Sequence, residues 1–385
     1  MKRINKALLA AIGLICLLLA GCWDINEPQR MLYINGIGVD YKDGEYHVYA
    51  QIISFNNVAK SEQPISDQPQ AEVGYAKGKT MDEAIYQLYH TVDQKIYWGH
   101  FSYIVVSENV MKNEKLSPII DSFIRYEDIR YQIWVYATKD PVEEVLLVRP
   151  VLNKAITLSK LGDPKNAFKQ ESFIPPMDIR KLIIQMNEPS HEAKIPLISV
   201  IENWQSMQES IKVPFLAGVG VVTPNGFKGF LEGKSAHGVQ WMSNETIRGE
   251  VTFKTDDQKH MTVTIDNLKV KVTPIVEREN VKFDVEVRLY AEIGLIAGSV
   301  TVEEIEEWLI KEIKREIMAT YEAALKKDMD IYRLSEHLYR RNVKAWKRLE
   351  KNGKVELTES SIGKLTVEIV RLESSRKSYR QSIDQ

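Results

Sequence analysis

Residue 22 constrains this chain more than any other. Lys2, Arg3 and Lys6 are followed by residues 7–20, which carry no charge, and the stretch closes on Leu19-Ala20-Gly21-Cys22. The uncharged run is shorter than the roughly 20 residues a bilayer core requires. A positive start, a short apolar stretch and small residues before a cysteine are the pattern of a bacterial lipobox, which predicts a signal peptide over 1–21 and a diacylglyceryl group on Cys22. The only other cysteine, Cys16, leaves with the signal. The exported body is therefore expected to fold without a disulfide or a thiolate metal centre, and must be held by buried apolar surface. If the signal stayed uncleaved, the protein would still sit on a membrane.

Composition permits such a body, since 44% of the residues are hydrophobic and 27% charged. The length of 385 residues suggests two or three domains. Removing Lys2, Arg3 and Lys6 leaves 48 basic against 53 acidic residues, a formal charge of -5. That balance gives no footprint for nucleic acid.

Two apolar strands read at 34–39 and 46–53, with Asp43-Gly44 as the hairpin turn between them. Residues 56–70, with Pro64 and Pro69, read as an exposed loop. Thr80-Met81-Asp82-Glu83 is a capping box that opens a helix, and strand, helix and strand follow at 102–106, 116–125 and 131–137. Asp140-Pro141 reads as an N-cap and first-turn proline. Residues 150–205 hold six scattered prolines around one helix at 177–187 and read as a linker region. A Pro-Asn-Gly turn at 224–226 makes a hairpin over 213–231, expected to stand as a small unit of its own. Three alternating strands between 249 and 295 predict an antiparallel meander. Thr301-Val302-Glu303-Glu304 is a second capping box. Ile305, Leu309, Ile313, Ile317, Tyr321 and Leu325 then recur every four residues, a stripe expected to pack on that meander. A second helix over 331–349 and a strand at 364–372 close the chain.

The predicted fold class is α+β with several domains. An N-terminal α/β layer domain spans 22–200, a middle hairpin domain 201–248, and 249–385 forms an antiparallel sheet packed with long helices.

Chemistry is hard to find. Gly74-Tyr75-Ala76-Lys77-Gly78-Lys79-Thr80 mimics a phosphate loop but has three residues, not four, before Gly-Lys, so its backbone donors cannot wrap phosphates. Gly36-Ile37-Gly38 and Gly218-Val219-Gly220 read as strand glycines at bulges or close contacts. Ser235 and His237 adjoin without a nucleophile elbow. His90 and His100 are ten apart, and no two histidines share a helix face, so no metal or cofactor site is expected. His100 reads as a hydrogen-bonded structural residue. The cluster of Lys and Arg from 340 to 354 reads as a solvated helix face.

Cys22-Trp23-Asp24 after the lipobox, Ile34-Asn35-Gly36-Ile37-Gly38-Val39-Asp40 with the strand that pairs to it, and Tyr97-Trp98-Gly99-His100 before an apolar strand are more distinctive. So are Phe123-Ile124-Arg125, the glycine-rich hairpin at 216–231, and Lys327-Asp328-Met329-Asp330-Ile331 before a basic helix containing Trp346. Together they resemble the spore germination lipoprotein family, the C subunits of nutrient germinant receptors in endospore-forming bacteria. In that family the Asp-Ile run usually continues as Phe-Gly, where this chain has Tyr332-Arg333. The resemblance implies a non-enzymatic subunit that is lipid-anchored through Cys22 to the inner membrane of the spore. Its implied partners are membrane-embedded A and B receptor subunits. A solute-binding lipoprotein serving a transporter is the alternative, disfavoured because such proteins usually have two similar α/β lobes around a cleft.

Overall fold

The computed structural model describes residues 30–53, 71–125, 129–207, 210–256, 260–293 and 300–374. Cys22 and the loop expected over 56–70 lie outside the described residues.

Nine strands form the first sheet. Strands β1 (Met31–Lys42) and β2 (Glu45–Ile53) make the expected hairpin, with Asp43 and Gly44 both at positive φ in the turn. β3 (Ala71–Gly78) adds antiparallel to β2, so the residues that mimic a phosphate loop lie mostly in a strand. The chain turns from it into α1 (Met81–Tyr89), where Thr80 Oγ1 accepts from Glu83 N–H at 3.1 Å. Only half of the capping box forms, because the Glu83 carboxylate accepts from Lys79 N–H at 2.6 Å instead of from Thr80.

Short β4 (Lys95–Tyr97) and then β5 (Tyr103–Ser107) lie parallel to β1. After α2 (Glu108–Lys112) and α3 (Leu116–Ile124), β6 (Trp134–Thr138) continues parallel to β5. Helices between parallel strands are the crossover connections that such pairing demands. Gly38 accommodates that layering: a side chain there would collide with Val142 of α4 (Val142–Leu146), which packs across β1. Asp140 does not cap α4; its Oδ2 accepts from Val200 N–H at 2.7 Å and pins the next strand.

That strand is the first departure from expectation. Beyond α5 (Pro164–Gln170) and α6 (Ile179–Asn187), the supposed linker ends in β7 (Ala193–Gln205), parallel to β6. Pro196 gave no strand signal because central strands rarely hold proline. The hairpin of β8 (Ser210–Thr223) and β9 (Gly226–Glu232) is a second departure, since β8 pairs with β7 along its length and the hairpin closes the edge of this sheet. Gly218 permits the close pairing: a Cβ there would strike the Leu231 carbonyl. The residues that follow turn to the other body. In α7 (Gly238–Trp241), Gly238 N–H donates to Thr320 Oγ1 at 2.8 Å and Trp241 Nε1 to Glu316 Oε2 at 2.6 Å. The segment 201–248 is thus shared between two bodies, its strands completing one edge and its turn covering a helix.

The second sheet has β10 (Arg248–Lys254), β11 (His260–Val276) and β12 (Val281–Ile293) as the expected meander. α8 (Val302–Leu325) starts at a fully reciprocal capping box, with Thr301 N–H donating to Glu304 Oε2 at 2.8 Å. Ile305, Leu309, Ile313, Ile317 and Tyr321 are completely buried with Val263, Val285, Val287 and Leu289 of the sheet, while Leu325 at the end of the stripe is only partly buried. The helix expected over 331–349 is two, α9 (Leu334–Arg341) and α10 (Val343–Leu349). Asn342 breaks them, because its Oδ1 accepts from Ala345 N–H at 3.0 Å and caps the second. A ribbon of β13 (Glu350–Lys351) and β14 (Lys354–Val355) leads to β15 (Ile362–Ser374). β15 is parallel to β12, so the second sheet is mixed and not wholly antiparallel. The intervening helices form a crossover that carries the chain back to the end of the sheet at which β12 begins.

Candidate functional site

The family-like motifs meet in buried polar contacts. In the first sheet, Asn35 Nδ2 donates to Gln51 Oε1 at 2.7 Å, Tyr103 Oη donates to the same oxygen at 2.7 Å, and Gln51 Nε2 donates to the Leu146 carbonyl. This set of bonds ties three strands to α4 inside an otherwise apolar layer. Asp40 at the end of the same motif is also buried and accepts from Ser107 Oγ, Asn109 Nδ2 and Tyr41 N–H. Ser107 in turn accepts from Val110 N–H and caps α2. Trp98 Nε1 donates to Tyr89 Oη at 3.0 Å. His100 is exposed, and its ring packs edge-on against Tyr33 and Tyr97 at 5.2 and 6.1 Å. Partial desolvation against these rings, then Arg130, lowers its pKa.

The largest constellation lies where the start of β7 meets the turn between α8 and α9, at the Lys327-Asp328-Met329-Asp330-Ile331 motif. Asp330 is completely buried. Its carboxylate accepts from Leu334 N–H at 2.8 Å and Ser335 N–H at 2.7 Å, closing the first turn of α9, while its own N–H donates to Glu192 Oε2 at 2.8 Å. Glu192 is buried too, with Lys354 Nζ 3.4 Å from its other oxygen. Lys354 also reaches the Asp328 carboxylate at 2.7 Å and carbonyl at 2.6 Å, and Lys228 of β9 pairs with Asp328 at 2.7 Å. Burial raises the Asp330 carboxyl against the pull of its two backbone donors. Burial, then the nearby Asp330, raises Glu192 against Lys354.

A second set adjoins the first. His191 Nδ1 lies 2.7 Å from Glu336 Oε2, both side chains buried, and Arg340 reaches Glu336 Oε1 at 2.8 Å and Glu188 at 3.1 Å. Burial works to raise the Glu336 carboxyl, but His191, Arg333 and Arg340 outweigh it and hold it down to about 2. Burial and Arg333 push Lys194 down to about 7; its Nζ donates to the Ile331 carbonyl at 3.0 Å. Trp346 Nε1 donates to Ser190 Oγ at 2.6 Å, and Ser190 Oγ to the Gly353 carbonyl at 2.6 Å.

Arg333 explains the one departure from the family motif. Its φ of 57° and ψ of 36° lie in the left-handed region, where glycine sits at no cost and another residue is strained. The position at which the resemblance leads one to expect glycine thus has a glycine conformation here, and the Arg333 guanidinium stands 3.8 Å from Glu336.

Chemically, the constellation couples two bodies: residues 188–194 and 228 from the first sheet face 328–340, 346 and 353–354 of the second. The sequence did not reveal it, because the basic cluster from 340 to 354 reads as a solvated face while Arg340 and Lys354 are in fact spent on buried acids. The unusual density of acids in Glu188, Glu192, Asp328, Asp330 and Glu336 opposite that cluster was the available signal. Ser235 and His237 are not brought together: Ser235 Oγ donates to the Glu232 carbonyl at 2.7 Å, and His237 Nδ1 lies 3.2 Å from Glu316. Among the described residues no group of His, Cys, Asp and Glu is spaced to hold a metal, and no helix is long and apolar enough to cross a membrane.

Known proteins are similar to this chain over most of its length. Residues 24–200 match the spore germination protein N-terminal domain, and residues 217–369 match the spore germination B3/GerAC-like C-terminal domain. Spore germination protein KC of Bacillus subtilis (strain 168) is 24% identical over 373 residues, covering 90% of either chain. Spore germination protein B3 of the same organism is 25% identical over 295 residues, 75% of this chain and 74% of that one. The crystal structure of the GerBC protein superposes with a TM-score of 0.54 at 16% identity, covering 89% of this chain and 97% of that one, so the fold is common to both. The two domain matches cover both sheets and reach either side of the ionic junction, and the chain belongs to the GerAC family of spore germination proteins.

Proposed function

We propose that this chain is the lipid-anchored, non-catalytic C subunit of a nutrient germinant receptor. It is held through Cys22 at the inner membrane of the spore and works beside membrane-embedded A and B subunits. The observation that carries this reading is a family match that runs through both bodies and embraces the junction between them. The polar groups of the motifs go into joining strands, helices and bodies, which suits a subunit whose task is to present a fixed surface. A lipid anchor confines such a subunit to two dimensions, so weak contacts with membrane partners gain from effective concentration. One acyl chain binds marginally, while the two or more of a diacylglyceryl cysteine hold stably.

A solute-binding lipoprotein would need a cleft of several hundred Å3 between its bodies. The cavity at this seam, lined by His191, Lys194, Ile331 and Arg333 among others, measures about 40 Å3, room for no more than a few waters. Two measurements test the proposal. Cys22→Ala should abolish the diacylglyceryl modification, read as the loss of lipid mass on the extracted protein; wild-type protein that carries no lipid on Cys22 rejects the anchor. A tagged copy purified from spores should bring multi-spanning receptor subunits with it, and recovery with a transporter instead would favour the solute-binding reading.

A further inference from the structure

The two ends of the first sheet differ in chemistry. At the β1–β2 turn, Lys42, Asp43 and Glu45 crowd together, Lys77 and Lys79 pair with Glu45 at 2.9 and 3.3 Å, and Lys42 pairs with Asp40 at 2.6 Å. The other end, where the described chain begins, is aromatic and aliphatic. Met31 pairs with Lys95 and Tyr33 with Tyr97 as β4 lies along β1, and His100 stacks edge-on to both tyrosines. Ile156 is buried with Tyr33 and Ile53 in the same cluster, against which Met31 and Tyr97 are half-buried. Two residues on, Leu158 is 62% exposed, and Tyr131, just ahead of β6, is 55% exposed. Exposed Arg30, Lys95, Arg130 and Lys154 outnumber exposed Glu72 and Asp93, so a small positive excess marks this end.

Eight residues separate Cys22 from Arg30, about 28 Å at full extension. The twelve residues of β1 carry the charged turn about 40 Å further on. The lipid therefore tethers the apolar end closely and the charged end loosely. We propose that the Met31 end of the first sheet, with Tyr97, Tyr131 and Leu158 at its rim, rests in the lipid headgroup layer of the bilayer to which Cys22 is anchored. The inference rests on the lipid-anchor reading. Tyrosine suits this layer, since its ring is apolar and its hydroxyl stays wet. The contact draws chiefly on burial of apolar surface, with a smaller share from the positive excess, and it orients the ionic junction and second sheet relative to the membrane.

The test uses the lipidated mature protein, in which the Cys22 sulfur is already in thioether linkage and leaves an introduced cysteine as the sole free thiol. Tyr131→Cys, Leu158→Cys and Asp43→Cys are each labelled with a small fluorophore. Each protein is then reconstituted in phosphatidylglycerol–phosphatidylethanolamine vesicles carrying a nitroxide lipid. Labels at 131 and 158 should lose most of their emission and the label at 43 should keep it, and most of that difference should survive raised salt. Protein that floats with the vesicles yet shows equal quenching at all three positions overturns the proposal while leaving the anchor intact. Protein that fails to float overturns the anchor and the proposal with it. Labels at 131 and 158 that escape the nitroxide lipid and also a soluble quencher would overturn it in favour of cover by the chain's own residues 54–70, which depart from and return to this same end at Ile53 and Ala71.

Discussion

Helix α8 meets the second sheet through Ile305, Leu309, Ile313, Ile317 and Tyr321, all fully buried, whereas the turn after it meets the first sheet through Asp328, Asp330, Glu192 and Lys354. The apolar contact is non-directional and gains free energy in proportion to area. The ionic contact gains little from burial alone, since desolvating several charges offsets their mutual attraction, but it is satisfied in only one geometry. The first kind of contact holds a body together. The second specifies how two bodies sit.

The sharpest test of this contrast puts a charge into the stripe. Ile313→Asp should cost about 4 kcal/mol or more, since no partner stands ready for the carboxylate. Urea denaturation of the unlipidated Cys22→Ala protein measures the loss. An unchanged midpoint would mean that α8 is a docking surface and not a core helix.

Asp330→Ala should cost about 3 kcal/mol, because it strips two backbone N–H groups of their acceptor at the start of α9. The loss should fall on the coupling, so that unfolding separates into two transitions. A single transition, shifted but equally steep, would show that the two bodies are one cooperative unit.

His337, next to Glu336, sets the third effect. Burial, then Arg333, lowers it from its ordinary 6.5 to about 4, against the pull of Glu336 and with Arg340 and Arg341 also opposing its charge. A depressed folded-state pKa means that the unfolded chain binds the extra proton first. Stability from this residue is thus complete above about pH 6.5 and is lost as pH falls towards 4. The wild type should lose about 1–2 kcal/mol more than His337→Gln between pH 7 and pH 5. Parallel pH profiles of the two proteins would refute the assignment. The smallest effect is expected at Arg333→Gly. Relief of the left-handed strain and loss of a cation near Glu336 oppose each other, for a net change below about 1 kcal/mol at pH 7. A loss well above that would make the Arg333–Glu336 contact a principal part of the junction.

Periodicity and capping were legible wherever one element decided its own structure. The α8 stripe, the Thr301 box, the β1–β2 turn and the meander each follow from neighbours in the chain. The misreadings share a different cause. β7 was hidden because Pro196 and its mixed pattern make sense only between β6 and β8. The hairpin at 213–231 looked independent because nothing local tells a hairpin which sheet edge it will join.

The same division holds for the candidate site. The residue types of the junction stand openly in the sequence, and the family motif points to Asp328 and Asp330. Their partners across the junction lie a hundred residues or more away, at Glu192 and Lys228. The proposed lipobox at Cys22 is the opposite kind of reading, since it rests on a linear string and draws on no fold. Local order follows from dihedral preferences and side-chain spacing over a few residues. Which sheet a hairpin extends, whether β15 runs parallel to its neighbour, and whether a lysine is solvated or buried against an acid depend on contacts between distant segments. Those contacts form only when the whole apolar surface is buried together, and the tertiary structure alone decides them.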